Sequence, residues 1–304
     1  MNAINNIDST VSQLANNTAT LSSSSMLVTV NISKWEGRKF DKKASNDIVA
    51  SNGAERGAAN VHKKLLPNSD ALKAIIEHAS AIHRLHTHMT MPWADKGARL
   101  LPTAQYMKYH NEMTALQNKF YTLVDTFLDD YNLSIAEAQI HLGDMYNDKD
   151  YPTVDELRNK FKCVIAYAPL PESGDFRVDL PKEAIAELQS SYVNYYEEKA
   201  KQAMNDVWER LYKVLKNMSE KLDYADKENK KVFRDTLVSN VMDMIELLRV
   251  SNVTNSVQMT AMADQLEEAL VGVTPDALRE DDHFRAETKR AVDAAIAALP
   301  SLDI

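Results

Sequence analysis

Glycine is scarce in this chain, and its scarcity excludes two large classes of nucleotide-binding site. Only seven of the 304 residues are glycine, and only Gly53 and Gly57 lie close together, in the stretch GAERG. A P-loop or a dinucleotide-binding turn needs several closely spaced glycines, because its backbone must approach the phosphates of the ligand. The sequence therefore predicts no phosphate-cradling loop of either type.

The chain also lacks a second cysteine, a long hydrophobic run and an excess of positive charge. Its single cysteine, Cys163, allows no disulfide within the chain, as is typical of proteins in a reducing compartment. No apolar run approaches the roughly 20 residues of a membrane-spanning helix, and we expect no signal peptide. The formal net charge of −9 argues against a general nucleic-acid binder, which needs a basic surface. We predict a cytoplasmic protein that has no membrane contact and does not have nucleic acid as its general partner.

Two stretches predict a small sheet in a chain that is otherwise patterned as helix. MLVTVNIS, residues 26–33, is rich in β-branched residues that alternate between two faces. KCVIAYAPLPESGDFRVDLP, residues 162–181, combines an apolar run with a turn marked by Pro169, Pro171 and Gly174. We predict that residues 27–33 pair with a hairpin at residues 163–179. MPWADKGARLLP, which has a proline near each end, is predicted to be a loop or a single turn.

Helical spacing of apolar residues dominates the rest of the sequence. From Ile185 to Leu222 the apolar positions recur about every 3.7 residues, as they do on one side of a nearly straight helix. The fold class is predicted to be mainly α, a helical domain with a small antiparallel sheet followed by an extended helical bundle or arm. The predicted divisions are a flexible segment at residues 1–25, an α+β domain at 26–181 and the bundle or arm at 182–304.

Four motifs, in their order and spacing, resemble a known protein family. They are SKWEGRKF after a strand, PWADKGARLLP before a long helix, YPTVDELRNKF, and PLPESGDFRVDL. Over roughly residues 26 to 190 the chain resembles a family of tailed-bacteriophage and bacterial proteins catalogued as a domain of unknown function. The family's genes often lie beside those for a MoxR-class AAA+ ATPase and a von Willebrand factor A-like protein. The resemblance implies a companion or adaptor of such a machine, in an infected bacterial cell, and it implies no catalytic residues.

Tyrosines near the start of the long predicted helix indicate an interface. Tyr192, Tyr195 and Tyr196 fall where neither the preceding domain nor the next helix is expected to cover the stripe. A tyrosine has an apolar body and a polar tip, which suits a protein–protein interface. We predict that these residues bind a second copy of the chain or a partner, although later helices of the same chain remain an alternative cover.

One stretch is basic although the chain as a whole is acidic. KWEGRKFDKK, residues 34–43, holds five basic residues and two acidic ones, with aromatic rings among them. Single-stranded nucleic acid binds such combinations of cations and rings, whereas a solvated rim with two rings tucked into the core is the alternative interpretation. The residues of the nucleic-acid hypothesis are Lys34, Trp35, Arg38, Lys39, Lys42 and Lys43.

A group of histidines raises the third hypothesis, a metal-dependent enzyme. His83 and His86 are spaced i, i+3 and are expected to share a helix face. His110 on the next long helix and Asp95 in a loop are the possible further ligands for zinc or iron. No HExxH motif, Glu-x-x-His pair or cysteine cluster supports the site, so packing or surface roles for these histidines are the alternative.

These patterns together favour a non-catalytic phage structural or interaction protein. The expected partners are a second copy of the chain, as a homo-oligomer, and a phage-encoded AAA+ ATPase. No catalytic residue and no cofactor are expected. The metal-dependent enzyme at His83, His86 and His110 and the single-stranded nucleic-acid binder at residues 34–43 stay open as alternatives.

Overall fold

The computed structural model of the protein describes residues 21–94, 97–171, 181–224 and 231–300. These residues are mainly helical, with a four-stranded antiparallel sheet and a separate two-stranded sheet. The fold class predicted from the sequence is therefore confirmed.

The larger sheet consists of β1 (Ser25–Ser33), β4 (Met91–Pro92), β5 (Arg99–Pro102) and β6 (Lys162–Pro169), and the smaller sheet of β2 (Arg38–Phe40) and β3 (His62–Lys64). The helices are α1 (Lys42–Ser51), α2 (Asp70–Met89), α3 (Tyr106–Asp129), α4 (Tyr131–Leu142), α5 (Val154–Arg158), α6 (Lys182–Leu222), α7 (Thr236–Val250), α8 (Val257–Leu270), α9 (Pro275–Glu280) and α10 (Asp282–Ala297).

The larger sheet gives β1 a pairing partner on each side. Its strand order is β4-β5-β1-β6, so β1 lies between two partners. The pairing of β1 with the first arm of the predicted hairpin is confirmed, whereas the second arm, residues 176–179, lies outside the described residues. The other partner, β5, was missed: Ser25 stands opposite Pro102, and Val28 stands opposite Arg99. The predicted loop MPWADKGARLLP in fact supplies β4 and β5, and β4 tolerates Pro92 because it is the end strand of the described sheet.

The described residues fall into two compact units that do not follow the predicted boundary at residue 181. The first unit draws on Met1–Thr29, His88–Met107 and Tyr167–Ile304, and the second on Val30–Thr87 and Lys108–Ala166, each within the described residues. Both units are therefore assembled from separated stretches of chain. The bundle is joined in the first unit by β4, β5 and the start of β1.

The core of the first unit is built around α6. The apolar stripe that predicted this helix from the sequence faces the core, where Val207, Leu211 and Leu215 are fully buried. Helices α7 and α10 pack along α6, and β4 packs on it as well. The Arg210 guanidinium of α6 donates hydrogen bonds to the carbonyls of His88 and Thr90, each at 3.0 Å. These bonds fix the chain where it enters β4.

Residues 21–25, just before and at the start of β1, belong to this core. The other residues of the predicted flexible segment, 1–20, lie outside the described residues. Leu21 is 2% exposed and packs in the same cluster as the α6 residues. The Ser24 hydroxyl donates to the Val253 carbonyl at 3.2 Å, and the Ser25 hydroxyl donates to the Leu21 carbonyl. Polar composition suggested a flexible tail, but a single buried leucine and two serine hydroxyls hold its last five residues.

The second unit has an aromatic core between its helices. Trp35 lies 6.2 Å from Phe127 and 6.0 Å from Tyr131, measured between ring centroids. The Tyr131 hydroxyl donates to the Pro152 carbonyl at 3.0 Å, and burial, with Tyr151 nearby, raises the pKa of Tyr131 to about 12. The unit places α4 and the β2–β3 ribbon at its surface.

Candidate functional site

The histidines of the metal hypothesis lie in different environments. His83 is exposed, whereas His86 is 5% exposed and its Nδ1 lies 2.8 Å from the Tyr109 hydroxyl. The i, i+3 spacing therefore does not bring them to one accessible face, because the apolar stripe of α2 runs through His86 and not through His83. His110 is half-buried, and Asp95 lies outside the described residues.

No metal-binding arrangement is found in the described part of the chain. Among these residues, no group of three or more His, Cys, Asp or Glu side chains is placed so that it could hold a metal ion. Cys163 is 2% exposed, and burial raises the pKa of its thiol, so the thiol stays protonated. A nucleophilic cysteine needs the opposite shift.

The three tyrosines of the predicted interface differ in their exposure to solvent. Tyr196 is 1% exposed and packs edge-on against Trp93, with ring centroids 5.2 Å apart. It is therefore part of the core of the first unit, covered by the chain itself, and cannot serve as an accessible interface residue. Tyr192 is half-buried, and only Tyr195, 44% exposed with the Lys199 ammonium 5.5 Å from its ring centroid, faces solvent. Trp93, which follows β4, covers Tyr196, and the sequence pattern did not identify this contact.

The residues of the basic stretch at 34–43 also lie in different environments. Lys34 forms an ion pair with Glu36 at 3.2 Å, and Trp35 packs into the aromatic core. Lys43 lines a cleft together with four carboxylate side chains, those of Asp41, Asp47, Asp144 and Asp148. The Lys34 charge and the Trp35 ring are thus engaged within the second unit, whereas Lys43 is exposed beside carboxylates.

The remaining residues of that stretch stay at the surface. Arg38, Lys39 and Phe40 form β2, and Lys42 begins α1; all four are exposed. The structure adds neighbours that the sequence analysis missed, because β3 brings His62 and residues 63–64 alongside β2. A run of basic and aromatic letters does not show which strand lies beside it.

Helix α4 carries an exposed apolar face that the sequence analysis did not single out. The helix buries Tyr131 and Ala138, yet on its opposite side Leu133 is 64% exposed and Ile140 is 81% exposed. Its sequence YNLSIAEAQIHL contains one charged residue, Glu137. Large apolar side chains on a nearly uncharged outer face are unusual for a surface helix and are typical of interaction surfaces.

Comparison with known proteins gives no match: no family model, curated protein or solved structure is significantly similar to the chain. The resemblance to a phage and bacterial family stays a prediction. Among the described helices, none is long and apolar enough to cross a membrane. Two surfaces of the second unit, the α4 face and the β2–β3 ribbon, are left as candidates for binding.

Proposed function

We propose that the protein is a non-catalytic interaction protein that self-associates through the outer face of α4. The observation that carries this proposal is the exposure of Leu133 and Ile140 on a helix with one charged residue. Burying two such side chains in a partner releases them from water, and each contributes about 1.5–3 kcal/mol when fully buried. The proposal keeps the homo-oligomer predicted from the sequence and moves its interface from the tyrosines to α4.

The spacing and charge of the face support a second copy of the chain as its occupant. Leu133 and Ile140 are one heptad apart, so in an antiparallel pair of α4 helices each leucine meets the isoleucine of the other copy. Two copies that each carry a net charge of −9 repel one another over most of their surface. Contact is therefore favoured where a face has little charge, as α4 does.

Self-association through α4 is tested by sedimentation equilibrium over a series of protein concentrations. The wild-type protein is expected to form a dimer, and the double substitution Leu133→Glu, Ile140→Glu is expected to give a monomer, because it buries opposed carboxylates in the pair. Val257→Glu is the matched control, since Val257 is 83% exposed but lies on α8. This control is expected to leave the dimer intact.

Two other results would change the proposal. A wild-type monomer at every concentration rules out self-association through α4. If that monomer nevertheless binds a purified AAA+ ATPase of the kind that the family resemblance implies, and the double substitution abolishes this binding, then α4 is an adaptor surface. A dimer that persists in the double variant excludes α4 as the interface.

A further inference from the structure

The β2–β3 ribbon has two different faces. Its register pairs Arg38 with Lys64, Lys39 with Lys63 and Phe40 with His62. Paired residues of an antiparallel ladder lie on the same face, and successive pairs alternate between faces. One face therefore carries Arg38, Lys64, Phe40 and His62, which we name the ribbon face, and the other carries the two lysines at 39 and 63.

The face opposite the ribbon face is held against the body of the second unit. The Lys63 ammonium lies 2.8 Å from the Asp150 carboxylate and donates to the Met145 carbonyl at 2.5 Å. The Lys63 side chain is only 8% exposed. This anchoring turns the ribbon face towards solvent, where all four of its residues are exposed.

The ribbon face carries two positive charges that face each other across the strands, and accessible aromatic rings beside them. Arg38 and Lys64 stand directly opposite each other, and like charges in that position destabilise a sheet. Among the described residues, neither forms an ion pair, because the nearby Glu36 is paired with Lys34 and Asp41 caps α1 by accepting from the Ala44 amide. Within the part of the chain that the structure describes, the Arg38 guanidinium and the Lys64 ammonium are thus free of direct ion pairs.

The rings lie one step along the strands from these charges. Phe40 is 46% exposed, and its ring centroid is 5.6 Å from that of His62. Successive pairs on one face of a strand ladder are about 6.8 Å apart. A chain molecule that contacts the rings is therefore within reach of both cations.

A cleft continues the ribbon face beyond its cations. It has a volume of about 630 Å³ and a mixed lining. This lining includes the basic residues Arg38, Lys64 and Lys73, the acidic residues Glu36, Asp70 and Glu77, and the apolar residues Leu66, Leu72 and Ile76. This volume lies in the range of ligand pockets, roughly 300–1,000 Å³. The order along the surface is thus a pair of rings, a pair of cations and a cleft with both polar and apolar lining.

We propose that the ribbon face binds single-stranded nucleic acid. A phosphate lies between Arg38 and Lys64, one base stacks on Phe40 beside His62, and the neighbouring base enters the cleft. Unpaired bases offer flat surfaces to aromatic rings, and such stacking depends little on sequence. A duplex hides its bases and needs many phosphate contacts, which the small ribbon face of a chain with net charge −9 does not provide.

The proposal is tested by fluorescence anisotropy with labelled oligothymidine and oligouridine of about 12 nucleotides, a length within the range that single-strand-binding folds cover. At low salt both probes are expected to bind the full-length protein. Affinity is expected to fall with salt concentration, with a log–log slope near −0.7 for each phosphate contacted. A preference for one probe identifies DNA or RNA as the ligand.

Three variants and two controls locate the binding site. Phe40→Ala is expected to weaken binding about tenfold or more through lost stacking, and Arg38→Ala is expected to lower the slope by about 0.7. Lys64→Glu is expected to abolish binding and also to raise the melting temperature, because it places an opposite charge across from Arg38. Tyr195→Ala and Lys213→Ala remove an equally exposed ring and an exposed cation on α6 and are expected to change nothing.

The proposal fails if neither probe binds at low salt, or if the three variants bind as well as the wild-type protein. An unlabelled duplex that competes as well as the single strand would replace the assignment with general attraction of polyanions. Substitutions on α4 are not expected to affect these measurements, so the outcome is independent of the proposed self-association.

Discussion

At the scale of single residues, the environment of a side chain decides its role, and sequence spacing alone does not show that environment. His83 and His86 were assigned equal status because they are three residues apart on one helix. The structure buries His86 against Tyr109 and leaves His83 in solvent. Residues three apart lie about 60° apart around a helix axis, and at the edge of an apolar stripe that angle is enough to place one in the core and the other at the surface.

We expect the two histidines to differ in their contribution to stability. His83→Ala should change the free energy of unfolding by less than about 0.5 kcal/mol, as is usual for surface substitutions. His86→Ala should lower it by about 1–3 kcal/mol, because the substitution leaves the buried Tyr109 hydroxyl without its 2.8 Å partner. Urea denaturation of the two variants, with Tyr109→Phe as the matched removal of the other partner, measures the difference. Equal effects of the two alanine substitutions would contradict the assigned environments.

At the scale of secondary-structure elements, long and regular patterns were predictable and short ones were not. The apolar stripe of α6 continues over ten turns, and Pro181 marks its start, so its limits followed from the sequence. Strands β4 and β5 have two and four residues and contain prolines. Such segments have no periodicity of their own: β5 is a strand because it pairs with β1, and β4 is a strand because it pairs with β5.

The segment before β1 provides a test at this scale. Leu21→Ala is expected to lower the free energy of unfolding by about 2–4 kcal/mol, because it removes a buried side chain from the core around α6. Leu133→Ala makes the same chemical change at a residue that is 64% exposed and is expected to cost less than about 0.5 kcal/mol. Denaturant titration of both variants at a concentration below self-association gives the comparison. If the two substitutions have the same effect, residues 21–25 do not contribute to the core.

At the scale of the whole molecule, chain order and spatial order differ. Continuous helical spacing begins near residue 181, after the second strand-like stretch, and that change of pattern suggested a boundary between an α+β domain and a helical arm. Each compact unit instead combines stretches that are far apart in the sequence, since His88–Met107 belongs with the helices after residue 181. Contacts between stretches about a hundred residues apart, such as Trp93 with Tyr196, leave no local signal in the sequence. The ribbon face escaped prediction for the same reason, because β3 follows β2 only after a helix and a loop.

This arrangement predicts that residues 21–181, which contain the α+β domain predicted at 26–181, do not fold as a separate domain. In the complete chain Met91, Trp93 and Leu100 are at most 7% exposed and share a core cluster with α6 residues such as Val207. A fragment that ends at residue 181 exposes these side chains, and a surface of that kind promotes aggregation and rapid proteolysis. We expect the fragment to be protease-sensitive and to bind a hydrophobic dye, and we expect coexpression with residues 182–304 to restore protection. A fragment that unfolds cooperatively by itself, with the hydrogen-exchange protection that residues 88–107 have in the full chain, would show that β4 and β5 do not depend on α6.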